Sequence, residues 1–548
     1  MNKISSITIF IFFFTISNAQ SLQWDWVKTN PINSTSFSSK SVVDSQGNLY
    51  VCGSFGTPTF TFDSYVLNNT ANSGTSDRQW FIAKYDSSGL ILWARTFVHS
   101  GYVYIRSMKT DVNDNLVILG DFNDSLMFDD TLINNSSGGG TSIFITKFST
   151  SGNVNWAIGV GNESGLFNFS LPFDLSIDQS GNIYVSGRFG DADFRIDSNI
   201  TLESSGNNNI FLIKYNENGI AQWAKKGYIY TNGSWAHDNW LSVDSDGNVY
   251  LTGSFVEVIT FDEISIATPT SSSTYLAKFN SLGQVQYLKK FGNSGYQSPN
   301  EIEIDSNNNV YLIGEYYFGS ATFGSTTLTN SGYSDVFITK LTPNGNVVWA
   351  KKCGGIYNDF ALGIAINLNN VYVTGEFNSP TMTINAINLI NNIPTSPINS
   401  ENGFIAKYDL DGNFIAASAP QNTGTNSLNS VSVYDNYIYC SGYFNNSMTL
   451  GTTTLSTTTG DFFVAKLNPQ TLDLVNHNKS NITIYPNPVK NLLNINFLDN
   501  ISHQFKITDL MGRQVLRGEI SNKIDVTVLP TGIYVLSIEY EKIKFIKE

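Results

Sequence analysis

The segment 241–253 reads Leu-Ser-Val-Asp-Ser-Asp-Gly-Asn-Val-Tyr-Leu-Thr-Gly, which is two short apolar runs on either side of a turn rich in Asp, Gly and Asn. Such a pattern predicts a β-hairpin. Its last four residues (an aromatic residue, an apolar residue, any residue and glycine) recur along the chain. Six copies end in glycine at positions 53, 187, 253, 314, 375 and 442, and a degenerate seventh copy ends at position 120.

A second pattern, in which lysine follows an apolar residue and any residue, gives the same count. It occurs at Lys84, Lys147, Lys214, Lys278, Lys340, Lys407 and Lys466. Each unit is interpreted as four strands: a before the turn, b with the glycine, c with the lysine, and d with a Trp-Ala phrase. A further apolar piece between b and c lies around Phe62, Phe128, Phe261 and Phe323. Seven such units without helical periodicity predict an all-β, seven-bladed β-propeller.

The start of the predicted propeller supplies an extra strand. Trp24-Asp25-Trp26-Val27-Lys28 is similar to a strand d such as Trp349-Ala350-Lys351, yet it precedes the first strand a. The seventh unit ends only in Leu472-Asp473-Leu474-Val475, a weak strand d without Trp. We therefore expect an N-terminal strand, residues 22–29, to complete blade seven of a propeller that spans residues 20–477 and to remove its exposed sheet edges.

Composition excludes several classes of protein. Charged residues make up 14% of the 548 residues, and the formal net charge is −14, which argues against nucleic acid or anionic lipid as the main partner. Three cysteines exclude a disulfide scaffold. Cys52 and Cys440 would fall in adjacent blades after ring closure but one position out of step. Two buried thiols are therefore favoured over a bridge, although their redox state stays open.

The first 19 residues have the order of a secretory signal peptide. Lys3 precedes an apolar run from Ile7 to Ile16, and Ser17-Asn18-Ala19 follows it. A run of ten apolar residues is too short to cross about 30 Å of hydrocarbon. We expect cleavage after Ala19 and no transmembrane segment in the mature chain.

Residues 478–548 are predicted to be a small β-sandwich of short alternating strands. Three motifs stand out, and their residues are Tyr485, Pro486, Asn487 and Pro488; Gly512 and Arg513; and Gly532, Tyr534, Lys544 and Lys547. Over residues 481–548 this segment resembles the type A C-terminal sorting domain of the Bacteroidetes type IX secretion system. The resemblance implies that these residues form the sorting signal, that the secretion machinery is a partner, and that the protein is secreted, either released or anchored to the outer cell surface.

The repeats over residues 40–470 also resemble the SBBP β-propeller repeats of secreted bacterial proteins. These repeats are loose in sequence, and the resemblance implies no known reaction.

The sequence offers no catalytic motif, no cofactor site and no metal site. The turn Asp244-Ser245-Asp246-Gly247-Asn248 is similar to a calcium loop, but its glycine is at position four where an EF-hand needs it at six. A hairpin turn explains the same residues. The His residues at 99, 237, 477 and 503 have no metal-ligand spacing. Acidic pairs such as Asp129-Asp130 are adjacent in sequence and indicate solvated loops.

A ligand surface is predicted where the d–a connections lie. The a–b and c–d turns are short and monotonous, whereas the d–a connections are longer, varied and aromatic. The candidate ligand-binding residues are Trp235, His237, Asp238, Trp240, Tyr102, Tyr104, Tyr296 and Tyr357. Exposed rings among Asn and Ser can stack on sugars or anchor a protein. A binding or adhesion module is favoured over an enzyme; an extracellular polysaccharide hydrolase or lyase and a structural surface protein remain alternatives.

Overall fold

The computed structural model describes residues 24–29, 36–70, 78–135, 140–161, 169–206, 208–230, 238–268, 272–292, 295–393, 401–468, 483–496, 503–509, 513–520, 522–538 and 541–548. The chain divides into two compact units, Met1–Leu472 and Asp473–Glu548. The predicted signal peptide and the weak strand 472–475 lie outside the described residues.

The first unit contains seven antiparallel sets of four strands, which we call blades one to seven, with strands numbered along the chain. In blades three and five, a hairpin of the following blade pairs with the last strand and extends the sheet to six strands. Blade one consists of β2 (Ser36–Val43), β3 (Leu49–Phe55), β6 (Gln79–Tyr85) and β7 (Ile91–Thr96); blade two of β9 (Val103–Thr110), β10 (Leu116–Phe122), β13 (Ser142–Phe148) and β14 (Val154–Val160); blade three of β15 (Ser170–Ile177), β16 (Ile183–Phe189), β19 (Asn209–Tyr215) and β20 (Ala221–Tyr230); blade four of β21 (Asn239–Val243), β22 (Val249–Phe255), β25 (Ser273–Phe279) and β26 (Val285–Phe291).

The remaining blades follow the same order. Blade five consists of β27 (Tyr296–Ile304), β28 (Val310–Tyr317), β31 (Ser334–Leu341) and β32 (Val347–Gly354); blade six of β33 (Asp359–Ile366), β34 (Asn370–Phe377), β37 (Asn402–Asp409) and β38 (Phe414–Ser418); blade seven of β40 (Asn426–Tyr434), β41 (Tyr437–Phe444), β44 (Asp461–Leu467) and β1 (Trp24–Thr29). Strands a of successive blades pack on one another, and β2 packs on β40, which closes the ring.

The apolar piece between strands b and c is a two-stranded hairpin in every blade. The hairpins are β4 (Thr59–Phe62) with β5 (Tyr65–Asn68), β11 (Ser125–Phe128) with β12 (Thr131–Asn134), β17 (Phe194–Arg195) with β18 (Thr201–Leu202), β23 (Val258–Phe261) with β24 (Ile264–Ala267), β29 (Ser320–Phe323) with β30 (Thr326–Thr329), β35 (Thr381–Ile384) with β36 (Ile387–Ile390), and β42 (Ser447–Leu450) with β43 (Thr453–Ser456). Two short strands, β8 (Val98–Ser100) and β39 (Gln421–Asn422), pair with β11 and β42.

The repeated glycine of strand b is required by close packing. A Cβ atom at Gly120 would lie 2.3 Å from the carbonyl oxygen of Tyr104 and 2.5 Å from the ring of Phe144. A Cβ atom at Gly314 would lie 2.1 Å from the carbonyl oxygen of Ser298. In six blades a β-bulge in strand a lies at this level. The glycine therefore lets the bulged strand approach without a side chain between them.

The aspartate that opens the a–b turn is held within the turn. Asp244 Oδ1 accepts the backbone N–H groups of Asp246 at 3.0 Å and Asn248 at 2.8 Å. Its Oδ2 accepts the hydroxyl of Tyr250 at 3.2 Å and the amide of Asn248 at 2.9 Å. These bonds engage both oxygens in the hairpin, as expected of an Asx turn.

The lysine of strand c joins each blade to the next one. Lys84 Nζ lies 3.1 Å from Asp44 Oδ2 and donates to the hydroxyl of Tyr50 at 2.6 Å. It also reaches the carbonyl oxygen of Thr150, in the c–d turn of blade two, at 3.4 Å. The indole N–H of Trp93 donates to that same oxygen at 3.1 Å. Equivalent pairs of donors meet the carbonyl oxygens of Glu217, Ser281, Pro343 and Leu410.

Blade seven is completed from the other end of the unit. β1 pairs antiparallel with β44, and Trp26 stands opposite Lys466. Lys466 Nζ and Trp26 Nε1 donate to the carbonyl oxygen of Ser87 in blade one, at 3.0 and 3.2 Å. The N-terminal strand therefore supplies both the fourth strand of blade seven and its tryptophan.

Blade six departs from this pattern at the tryptophan position. Ala416 stands opposite Lys407, where five other blades have tryptophan and one has tyrosine. Trp24, from the strand that completes blade seven, packs in the apolar cluster that contains Ala416.

The second unit contains two antiparallel sheets. One consists of β45 (Thr483–Tyr485), β46 (Leu492–Asn496) and β49 (Lys523–Asp525); the other of β48 (Gln514–Ile520), β47 (His503–Asp509), β50 (Gly532–Ile538) and β51 (Glu541–Lys547). Their apolar faces share one core, which includes Leu493, Ile524, Leu536 and Phe545. The predicted all-β propeller followed by a small sandwich is confirmed.

Candidate functional site

The residue directly after the repeated glycine differs in charge and polarity from blade to blade. Because this position has the same register in every strand b, its seven side chains lie at the same end of their blades, where the d–a and b–c connections also meet. We call this end the mouth and these residues the mouth ring: Ser54, Asp121, Arg188, Ser254, Glu315, Glu376 and Tyr443. The remaining positions of the repeat build the blades, whereas this one differs from blade to blade.

The side of the mouth at blade two carries an oriented arginine. Arg106 Nε donates to Asp121 Oδ1 at 2.5 Å, and the guanidinium lies 5.5 Å from the ring centroid of Tyr104. Burial raises the pKa of Asp121, whose side chain is 1% exposed. Tyr102 and Tyr104 have ring centroids 5.2 Å apart. The backbone N–H of Tyr102 donates to Asn123 Oδ1 at 2.8 Å, which fixes this corner.

A second arginine lies in blade three. The guanidinium of Arg188 lies 5.4 Å from the ring centroid of Phe169 and 5.7 Å from that of Phe173. Burial lowers its pKa, the nearby charge of Asp238 opposes this shift, and the charge of Arg106 adds to it. Burial opposes a rise in the pKa of Arg106, but the hydrogen bond and charge of Asp121 raise it, and the charge of Asp238 adds to the rise. The two arginines and Asp238 are thus electrostatically coupled at this side of the mouth.

The side of the mouth at blades five and six is acidic. Glu315 is 6% exposed, accepts the hydroxyl of Tyr317 at 3.2 Å and accepts the amide of Asn300. The same amide donates to the carbonyl oxygen of Ala361 in blade six at 2.9 Å. Burial raises the pKa of Glu315 to about 7, although both hydrogen bonds oppose the shift. Burial likewise raises the pKa of Glu376 to about 7.

Below the mouth the central channel is crossed by side chains. Lys109 Nζ lies 3.3 Å from Glu303 Oε1, which joins blades two and five, and Lys40 Nζ lies 5.5 Å from the ring centroid of Trp240. The remaining space is a cavity of about 230 Å³. These contacts place side chains from opposite blades across the axis of the channel.

Two carboxylates in the channel hold backbone groups of the next blade. Asp174 Oδ2 accepts the N–H of Leu241 at 3.1 Å, and Glu301 Oε2 accepts the N–H of Ile364 at 2.8 Å. Burial raises the pKa of both carboxyl groups, that of Glu301 to about 7. Their hydrogen bonds indicate a role in joining blades.

The candidate ligand-binding residues separate into four groups. Tyr102, Tyr104, Tyr296 and Asp238 are exposed at the mouth, and Tyr357 is half-buried with its ring stacked on Tyr333 at 6.3 Å. Trp235 and His237 lie outside the described residues. Trp240 belongs to strand a, not to the preceding connection. It is half-buried in the channel, where its indole N–H donates to the carbonyl oxygen of Pro299 at 2.9 Å.

The charged members of the mouth ring are the residues that the sequence analysis missed. Their signal is simple: in a chain poor in charge, Asp121, Arg188, Glu315 and Glu376 each directly follow the repeated glycine. The partners in the bulge, Arg106 and Asn300, could not be found in this way, because a bulge is not visible in the repeat spacing.

Cys52 and Cys440 are buried, and no disulfide joins them. Within the described ranges, no group of three or more His, Cys, Asp or Glu side chains is placed to hold a metal ion. No helix among those same residues is long and apolar enough to cross a membrane.

Part of the predicted sorting signal is built around the end of the chain. Asn487 accepts the N–H of Ile546 at 2.9 Å and donates to the carbonyl oxygen of Lys544 at 3.2 Å. Arg513 Nη2 lies 2.8 Å from Asp509 Oδ2. The hydroxyl of Tyr534 donates to the carbonyl oxygen of Pro530 at 2.8 Å. Gly512 lies outside the described residues.

Glu315 should make the stability of the propeller depend on pH. Its pKa is higher in the folded chain than the ordinary value of 4.5, so the folded state binds the proton more tightly. The stabilisation is complete below about pH 4.5 and is lost as the pH rises to about 7, a loss of about 3 kcal/mol at most. Glu315→Gln should therefore reduce the fall in unfolding free energy between pH 5 and 8 in urea titrations.

Glu263 provides the control for this measurement, because it is an exposed carboxylate in the turn between β23 and β24. Glu263→Gln should keep the pH dependence of the parent protein. Equal slopes for the parent and Glu315→Gln would contradict the assignment of this titration to Glu315.

Comparison with known proteins identifies the C-terminal unit and one relative of the chain. Residues 483–548 match the family described as secretion system C-terminal sorting domain. An uncharacterized WD repeat-containing protein of Acanthamoeba polyphaga mimivirus is 27% identical over 445 residues, which are 68% of this chain and 32% of that protein. The chain thus spans about a third of the length of this relative.

Solved structures are similar only at a distance. A protein of unknown function from Bacteroides caccae gives a TM-score of 0.32 at 10% identity, covering 62% of this chain and 89% of that one. A protein of unknown function from Dyadobacter fermentans gives a TM-score of 0.37 at 7% identity, covering 82% of this chain and 99% of that one. The endosialidase of phage phi92 gives a TM-score of 0.37 at 9% identity, covering 81% of this chain and 69% of that one. The family match over residues 483–548 identifies a type IX secretion sorting domain, which indicates that the protein is exported.

Proposed function

We propose that this protein is an exported β-propeller that binds an extracellular glycan at its mouth, and that it acts outside the cell, either attached to the surface or released. The observation that carries the proposal is the contrast between the two ends of the blades. Near-identical turns close one end, whereas exposed aromatic rings and unlike charged groups occupy the other. Variation concentrated at one end of a repeated scaffold is typical of a binding surface.

The aromatic side chains support a glycan over other ligands. Tyr104 and Tyr296 are 57% and 53% exposed, although the ring of a tyrosine usually packs on apolar neighbours. Flat rings beside carboxylate and amide groups match a sugar, which has an apolar face and hydroxyl groups at its edge. A protein partner anchored on the same rings is the outcome that a pull-down from surface extracts would reveal.

Replacement of both Tyr102 and Tyr104 by alanine should weaken glycan binding at least tenfold. Each ring stacked on a sugar contributes about 1 kcal/mol, and the two rings lie side by side. The measurement is a glycan array followed by titration of the strongest hit. Leu282→Ala is the control, because this side chain is 70% exposed in a c–d turn at the opposite end. Unchanged binding in the Tyr102/Tyr104 variant would remove this corner from the site.

A polysaccharide-degrading enzyme is the second candidate. It is favoured by Glu315, since a carboxyl group with a pKa of about 7 can serve as a general acid. We favour binding because Glu315 is buried and already bonded to Tyr317 and Asn300. Release of reducing sugar from any polysaccharide, lost in Glu315→Gln, would replace binding by catalysis as the proposed function. Neither binding nor hydrolysis across the array would favour a structural surface protein.

A further inference from the structure

The guanidinium of Arg106 is the best-defined group at the mouth that could bind a ligand. Its Nε is engaged by Asp121 at 2.5 Å, and its face lies over Tyr104. Among the described residues neither Nη group makes a hydrogen bond, and the side chain remains 34% exposed. Asp121 thus holds the Nε of the arginine, and Tyr104 packs against one face of the guanidinium. The two Nη groups remain available to donate hydrogen bonds to a planar anion.

Asp121 acts here as a positioning residue and not as a competitor for the ligand. Its side chain is 1% exposed, so a ligand at the mouth cannot reach it. Burial of its carboxylate fixes the direction of the guanidinium. The ring centroids of Tyr102 and Tyr104 are 5.2 Å apart, and the guanidinium of Arg106 lies 5.5 Å from the ring centroid of Tyr104. An anion bound by Arg106 would therefore have exposed aromatic surface next to it.

The neighbouring charges define what the ligand must carry. Burial lowers the pKa of Arg188 in blade three, the charge of Asp238 opposes this shift, and the charge of Arg106 adds to it. Asp238 is exposed, and its negative charge disfavours an anionic ligand near the arginines. The net charge of −14 also repels polyanions at long range, so a specific contact must offset it.

Resting on the proposed glycan-binding function, we propose that the mouth binds a sugar that carries a carboxylate, a uronic acid within an acidic polysaccharide. The carboxylate accepts two N–H groups from the Nη edge of Arg106, and the sugar ring lies on Tyr102 and Tyr104. A planar carboxylate matches the planar fork of arginine, and the apolar face of the sugar matches the tyrosine rings.

The test uses the full chain with polygalacturonate as the acidic probe and dextran as the neutral one, in affinity electrophoresis and calorimetric titration. Polygalacturonate should bind and dextran should not. Arg106→Gln should weaken polygalacturonate binding about tenfold or more, because a charge-assisted pair of hydrogen bonds is lost. Asp238→Asn should tighten it, since a competing charge is removed. Circular dichroism melts check that each variant is folded.

Arg195→Gln is the matched control, because it removes the same charge from an exposed position in the β17–β18 hairpin. Equal losses in Arg106→Gln and Arg195→Gln would show general charge attraction and overturn the proposal. Binding of dextran alone, sensitive to Tyr102 and Tyr104, would overturn the acidic sugar while preserving glycan binding. Binding of polyglutamate but not polygalacturonate would overturn both in favour of an acidic peptide.

Discussion

Removal of residues 20–30 should lower the melting temperature of the propeller by on the order of 10 °C, because it takes away the fourth strand of blade seven. The strand pairs along β44, and Trp26 donates to the carbonyl oxygen of Ser87 in blade one. Each lost hydrogen bond costs about 1 kcal/mol, and each exposed indole ring about 2 kcal/mol. The edge of β44 would also be left open to aggregation. Differential scanning calorimetry measures the change.

A synthetic peptide of residues 20–30, added to the truncated chain, should restore the melting temperature as its concentration rises, because it binds only the folded ring. The same peptide with Trp26→Ala should restore it poorly, since it lacks the donor to Ser87 and the ring that covers Gly89. A truncated chain that melts at the temperature of the parent would contradict closure by β1.

Gly120→Ala should destabilise the propeller by about 3 kcal/mol or more, the second large effect that we expect. The new Cβ would meet the carbonyl oxygen of Tyr104 at 2.3 Å, and a backbone atom cannot move aside as a side chain can. Either strand a or strand b of blade two must shift. Urea unfolding followed by tryptophan fluorescence measures the loss.

Gly56→Ala is the matched control for this substitution. It adds the same methyl group just after β3, where the nearest atom is Arg78 Nη1 at 3.9 Å. Its effect should stay within about 0.5 kcal/mol. Comparable losses at the two positions would contradict the close-packing role of the repeated glycine.

The repeat made the scaffold predictable from sequence. The Tyr250 phrase, the Lys278 phrase and the turn that begins at Asp244 each mark a fixed register, and these residues contact one another in the fold. The place of Trp26 in a strand d could also be predicted, because its sequence matches the strand d phrase of the other units. A local pattern repeated seven times carries more information than any single copy does.

The mouth was less predictable, for two physical reasons. Trp240 was expected in an aromatic loop, but strand a of blade four begins at Asn239 and brings the ring into the channel. Arg106 meets Asp121 because a bulge inserts one extra residue in β9, and a bulge leaves no mark in repeat spacing. Which charges meet at the mouth therefore depends on local backbone geometry that the repeat does not encode.

The composite make-up of blade seven has a consequence for the order of assembly. Thr29 pairs with Phe463, so the two partners are separated by more than 400 residues of chain. During N-to-C synthesis or translocation, β1 must wait until nearly all of the propeller has emerged, and this long-range contact forms late. The sorting domain follows β44 closely in sequence. When the sorting domain has been made, every strand needed to close the propeller is already present. β1, the first described strand to be made, is therefore the last to pair.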